Sequence, residues 1–372
     1  MLRKIDSLID AWLGSYSISG QALGLYRIFF ASYAILFGLK RYAWVADYPG
    51  GLWRPPFPFS IFDVYGTFAV GLYAEPMPEN ILLFIEGFLC LLFVLLLFGV
   101  LTPYVSVSIT IILVILNWQV YSLPKVNHDI LFCITPMLMA LSGWGGSFSW
   151  DAEWRRTESA YPSLSSALLA ITITTGFAVA GLPKLIHWLD FDLSTSGVRM
   201  WVTGMYFPDG GGGPLSALMA YTTAPLLWET IDVTAVCFEV GFLFTVWQRQ
   251  YLRLWLALAV AFHFTNYLIL GIPFFFNLPV YAAFLPWDRA VRFFNRSSWG
   301  SYFASMLSSK SARAALFIGV LVIAETIYFI RPKTGLHGTG VVKVIQSVLV
   351  FGIAFAILSY FAYSSRREAI PG

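Results

Sequence analysis

A chain of 372 residues that is 58% hydrophobic and 12% charged has too few charged groups to cover a water-facing surface, since a soluble globular chain carries about 25%. Its net charge of +3, without any long basic run, gives no footing for a nucleic-acid partner. The composition predicts an all-α fold, a polytopic membrane helical bundle of about 9–10 transmembrane helices. An aromatic content of 18% suits a protein with two lipid–water interfaces to anchor.

The chain opens on "MLRKIDSLIDAWLGSYSISG", which is amphipathic and lacks an apolar core followed by a cleavage site. Residues 1–20 therefore read as a retained interfacial segment. A crossing helix needs about 20 mostly apolar residues. Such stretches fall at 24–40, 80–101, 104–122, 127–143, 163–184, 224–247, 251–270, 313–330 and 341–362. A shorter aromatic piece, 274–286, reads as a half-span or a broken helix, which a membrane tolerates only inside protein or beside a cavity. Two long connections, 41–79 and 188–223, are expected to fold over a membrane face. The second contains the chain break "FPDGGGGPLSA", whose glycines lack the surroundings of a phosphate loop. Cys90, Cys133 and Cys237 lie in apolar runs and read as small core residues. With the N-terminus inside, the larger share of Lys and Arg falls on the cytoplasmic side, which predicts that both termini are cytoplasmic.

Polar side chains within spans are costly and mark the places to look for chemistry. Lys184 follows Pro183 at the end of the fifth span, with His187 three residues on. It is either a lysine snorkelling to the interface or a desolvated, neutral general base. At the head of the fourth span, "KVNHDIL" supplies Asn127, His128 and Asp129. His128 and Asn127 can hold a ligand oxygen, while Asn127 and Asp129 also suit a helix start. In the seventh span, His263 and Asn266 lie three apart on one face, either bonding across helices or facing a pocket. Glu229, Asp232 and Glu239 share a face of the sixth span. Structural pairing with Arg27, Arg199 or Lys184 is the default for these acids, and Glu86 and Arg27 belong to the same question. There is no HExxH, no metal-spaced cluster and no Gly-x-Ser-x-Gly elbow, so no metal cofactor is expected.

In order, "LYRIFF", "NHDIL", "AGLPKL", "HFTN" and "AAFLPWDR" resemble the membrane core of the vitamin K-dependent gamma-glutamyl carboxylases. That core is also called the HTTM, or horizontally transferred transmembrane, domain. The resemblance runs over residues 21–290, leaving 291–372 for two additional spans and a cytoplasmic tail in place of the carboxylases' large luminal domain. It implies that Lys184 is the base that deprotonates a vitamin K-like hydroquinone, with His128 and Asn127 at the same site. It implies a site-lining role for His263 and Asn266 and a structural one for Arg27. Pro183 stands where the carboxylases have a second lysine. The expectation is a membrane enzyme, seated in a bacterial-type plasma membrane, that takes a quinol or another weakly acidic lipophilic molecule. Its partners would be a membrane lipid or lipophilic small molecule, with a peptide or protein as a further substrate. The alternatives are a non-catalytic membrane partner or maturation factor for a secreted peptide, and a transporter, for which no inverted repeat is visible.

Overall fold

The computed structural model describes residues 2–47, 77–121, 129–154, 161–190, 192–272, 274–297 and 310–330, with 351, 352 and 355. Among them are fourteen α-helices and no strand. In chain order these are α1 Leu2–Ser15, α2 Gly20–Tyr33, α3 Glu79–Phe98, α4 Thr102–Tyr121, α5 Ile130–Ala140, α6 Asp151–Trp154 and α7 Pro162–Trp188. They continue with α8 Gly197–Asp209, α9 Ser216–Ala220, α10 Pro225–Gly241, α11 Arg249–Leu270, α12 Leu278–Tyr281, α13 Trp287–Arg296 and α14 Lys310–Ile330.

Among the described residues, four stretches are long and apolar enough to cross a membrane: Gly20–Asp47, Glu79–Phe98, Pro162–Trp188 and Arg249–Leu270. A helix rises 1.5 Å per residue, so about 20 residues match the hydrocarbon core of a bilayer. Phe84, Ile186, Leu226 and Phe244 are each at least 70% exposed, a surface suited to lipid and not to water. The protein is an integral membrane protein built from transmembrane helices.

The short aromatic stretch near 280 is broken into a 3-10 turn at Phe275–Asn277, the single turn α12 and a second 3-10 turn at Ala282–Phe284. Pro279, within α12, has no N–H to extend a longer helix back into Phe275. The 188–223 connection is not all loop, because α8 occupies thirteen of its residues. Ser196 caps α8 by accepting from the Arg199 N–H at 3.1 Å, and Gly210 ends it at φ +62°.

The chain divides into two compact units. One comprises Ser17–Ser166 and Pro286–His337. Its centre is aromatic: Phe30 stacks on Phe132 at 5.1 Å, Phe132 on Phe93 at 6.1 Å, and Trp144 leans on Tyr26 and Phe30. Arg27 is buried in this core. Gly99 ends α3 at φ +67°, and a Cβ there would lie 2.3 Å from the Ser149 side chain and 2.9 Å from the Arg27 guanidinium. Only glycine fits both that backbone and that space.

The other unit comprises Met1–Tyr16, Ala167–Leu285 and Gly338–Gly372. Here α7, α10 and α11 meet through Phe177, which stacks face to face on Phe242 at 4.0 Å and sets its edge against Phe238. A second packed group joins α8, α9 and α10 through Val202, Ala220 and Trp228. The candidate site lies within this unit.

Candidate functional site

On α7, Phe177, Gly181 and Lys184 fall at i, i+4 and i+7, so they line one face. That face meets α10. At Gly181 a Cβ would lie 2.9 Å from Glu239 Cβ and 3.0 Å from Val240 Cγ2, so the absence of a side chain sets the closeness of the two helices. One turn further on, Lys184 Nζ donates to both oxygens of Glu239, at 2.5 and 2.6 Å. The lysine side chain is 26% exposed and the glutamate 5%. Trp188, a turn beyond, places its ring centroid 5.2 Å from the ammonium. That is cation–π range. Pro183 does not interrupt α7, though it deprives the Val179 carbonyl of its helical N–H donor.

The three acids of α10 have three different fates. Glu239 holds Lys184. Asp232, fully buried, accepts from the Gly197 and Val198 N–H groups, both at 2.9 Å, and so caps α8 from another helix. Glu229 is 7% exposed, yet among the described residues neither of its oxygens has a hydrogen-bond partner. Arg199 donates its backbone N–H to Ser196 and forms no ion pair with these acids among the described residues. Before α8, the loop is held by Asp190 and Asp192. The Ser194 hydroxyl and N–H, both donating to Asp192, hold its carboxyl below the usual carboxylate range.

The second polar cluster surrounds His263 on α11. Its Nε2 lies 2.8 Å from the Tyr281 hydroxyl and 3.5 Å from Asn277 Nδ2. The ring is stacked on Phe274 at 4.1 Å and nearly parallel to Phe177 at 5.8 Å. Phe177 thus touches the histidine, while Lys184 stands about 10 Å further along the same α7 face at helical rise. Asn266 is half-buried on α11, one turn past His263.

Asn127 and His128 lie outside the described residues. Their neighbour Asp129 is the residue before α5 and pairs with Lys40, without capping the helix through its side chain. The guanidinium of Arg27 donates to backbone carbonyls of its own unit: Trp144 at 3.0 Å, Leu97 at 2.6 Å, Phe148 at 2.5 Å, Ser147 at 3.4 Å and Leu96. Glu86 accepts from the Tyr42 and Ala43 N–H groups.

Sequence reasoning passed over Tyr281 and Asn277. Both were legible as polar residues spaced i, i+4 in an otherwise apolar run, "NLPVY". The Lys40–Asp129 pair bridges residues far apart in sequence and carries no local signal. Among the described residues, no group of three or more His, Cys, Asp or Glu side chains is placed to hold a metal ion. The chain matches no family model, no curated protein and no solved structure.

Proposed function

We propose that the protein is an HTTM-type membrane enzyme related to the vitamin K-dependent carboxylases. It would sit in a bacterial-type plasma membrane with both termini cytoplasmic. Its substrate class is a vitamin K-like hydroquinone or another weakly acidic lipophilic molecule, with a peptide or protein as the second substrate. The observation that carries the reading is the Lys184–Glu239 pair, held at the Gly181 crossing beside an aromatic wall.

The donor set suits a flat, weakly acidic ligand. Trp188 sets its ring beside the ammonium, and Phe177, stacked on Phe242 and on His263, forms with Phe274 an apolar wall in the same helix cluster. A bound quinol supplies an ionisable hydroxyl. A proton on Lys184 Nζ can pass to the Glu239 carboxylate it touches, which frees the amine to take the proton of that hydroxyl; the ammonium then faces the oxyanion formed, and Glu239 keeps the first proton. His263, held by Tyr281, is a further polar group in the same helix cluster.

The test is hydroquinone consumption by protein reconstituted in nanodiscs, with and without oxygen. Lys184→Met and Glu239→Gln are expected to lower turnover by about 100-fold or more, the usual worth of a positioned general base. The exchanged pair, Lys184→Glu with Glu239→Lys, keeps the ion pair and is expected to stay folded but inactive. Turnover at the wild-type rate in Lys184→Met, or no turnover by folded wild-type protein, overturns the reading.

A second reading draws on the same pair. Each charge is fully engaged by the other, as in a purely structural ion pair. That supports a non-catalytic membrane partner or maturation factor for a secreted peptide. On this reading the exchanged pair keeps its function.

A further inference from the structure

The helix α13, Trp287–Arg296, has two opposed faces. Trp287, Val291 and Phe294 lie at i, i+4 and i+7 and point inward. Trp287 packs on Phe29 at 5.5 Å and Tyr26 at 6.2 Å, Val291 is buried, and Phe294 meets the edge of Phe148 at 6.2 Å. The opposite face carries Arg289, Arg292, Phe293 and Arg296 at i, i+3, i+4 and i+7. Phe293 is 77% exposed, and Arg292 and Arg296 are exposed beside it. Water is a poor environment for a bare phenylalanine at the centre of such a face.

A polar contact at the start of α13 adds to this packing and sets the helix beside the end of α2. Ser19, the N-cap of the membrane-crossing stretch Gly20–Asp47, donates its hydroxyl to Asp288 in the first turn of α13 at 2.5 Å. The end of a crossing helix marks the lipid–water boundary. At that level a helix with apolar and cationic groups on one face meets both halves of an anionic lipid: acyl chain for the ring, headgroup phosphate for the guanidiniums.

We propose that α13 is a lipid-docking helix, whose outer face seats Phe293 among acyl chains and binds anionic phospholipid headgroups through Arg292 and Arg296, with Arg289 on the same side. The charge complementarity is direct: this face carries three arginines and no acid, since Asp288 is turned to Ser19. Guanidinium groups pair with phosphate oxygens in a two-pronged fashion, which favours arginine over lysine for the task. The inference is independent of any activity at Lys184.

The experiment uses the full chain in nanodiscs of phosphatidylcholine, with and without phosphatidylglycerol. Phe293→Cys is labelled with a nitroxide on a Cys237→Ser background, the other two cysteines being buried. The expected label is open to oxygen and shielded from a water-soluble nickel chelate. In mixed micelles, native mass spectrometry should show the wild type retaining phosphatidylglycerol over phosphatidylcholine. Arg292→Gln with Arg296→Gln should weaken that preference by about 30-fold, the worth of two arginines near an anionic surface. A label open to the nickel chelate overturns the proposal, as does an unchanged lipid preference in the double variant. Spin–spin broadening at position 293 would assign the face to a second copy of the chain and overturn it equally.

Discussion

Buried charge is held mainly by the backbone around Arg27 and by more varied partners along α10, although the Arg27 unit also contains one lysine–acid pair, Lys40–Asp129. Around Arg27, charge is neutralised by the backbone: one guanidinium draws in carbonyls from the end of α3 and from the 144–148 loop. Glu86 and Asp151 likewise take backbone N–H groups, at Tyr42 and Ala43 and at Leu101 and Thr102. Around α10, one acid is matched to a lysine side chain, one to a helix end and one, among the described residues, to no hydrogen-bond donor. A charge locked by peptide groups cannot move without moving the chain. A charge matched by another titratable side chain can exchange a proton in place. The difference separates architecture from candidate chemistry better than burial does, because Arg27 and Glu239 are both buried.

The largest break in that contrast is Arg27→Ala. It removes the guanidinium that donates to five carbonyls and empties the centre of an aromatic core. Unpaired buried polar groups cost about 1–3 kcal/mol each, so several together are comparable to a typical domain's stability. The expected outcome is loss of monodisperse protein on size exclusion. Arg27→Lys keeps the charge but offers three donors from one point in place of a planar fork, so it should recover only part of the yield.

Next in size is the Lys184–Glu239 pair. Lys184→Met strands a carboxylate that is 5% exposed, and breaking a buried pair costs about 3–5 kcal/mol. The lysine's partial exposure sets the expected loss at the lower end of that range. Lys184→Met with Glu239→Met removes both charges and should return the thermal midpoint close to that of wild type. A double variant as unstable as the single one would show that the pair's geometry, and not its charge balance, holds α7 to α10.

Composition and hydropathy made the helical membrane fold legible, since each crossing helix satisfies its own backbone and must be apolar along its length. Helical spacing also placed Glu229, Asp232 and Glu239 on one face before any coordinates. What spacing could not supply was the partner of each acid. Asp232 caps a helix that begins 35 residues upstream, inside a connection that read as loop because its glycines dominate the pattern. Arg27 read as structural through resemblance, yet its partners are carbonyls, which no side-chain pattern announces. Asn127 and His128 remain where sequence alone put them, outside the described residues.

The smallest expected effect comes from Asp232→Asn, and it sharpens the contrast within α10 itself. Asp232 resembles the backbone-locked charges of the other unit, because its two oxygens take the Gly197 and Val198 N–H groups. The amide keeps one acceptor oxygen and turns an NH₂ toward the second N–H, so one charge-assisted bond is lost. That corresponds to about 1–2 kcal/mol, read as a modest fall in thermal midpoint together with faster hydrogen exchange at Gly197 and Val198. Turnover, on the proposed reading, should survive, because Asp232 holds α8 and exchanges no proton with Lys184. A loss of turnover as deep as that of Glu239→Gln, with the midpoint barely moved, would instead place Asp232 beside Glu239 as part of the chemistry, and burial by backbone donors would no longer separate the two roles.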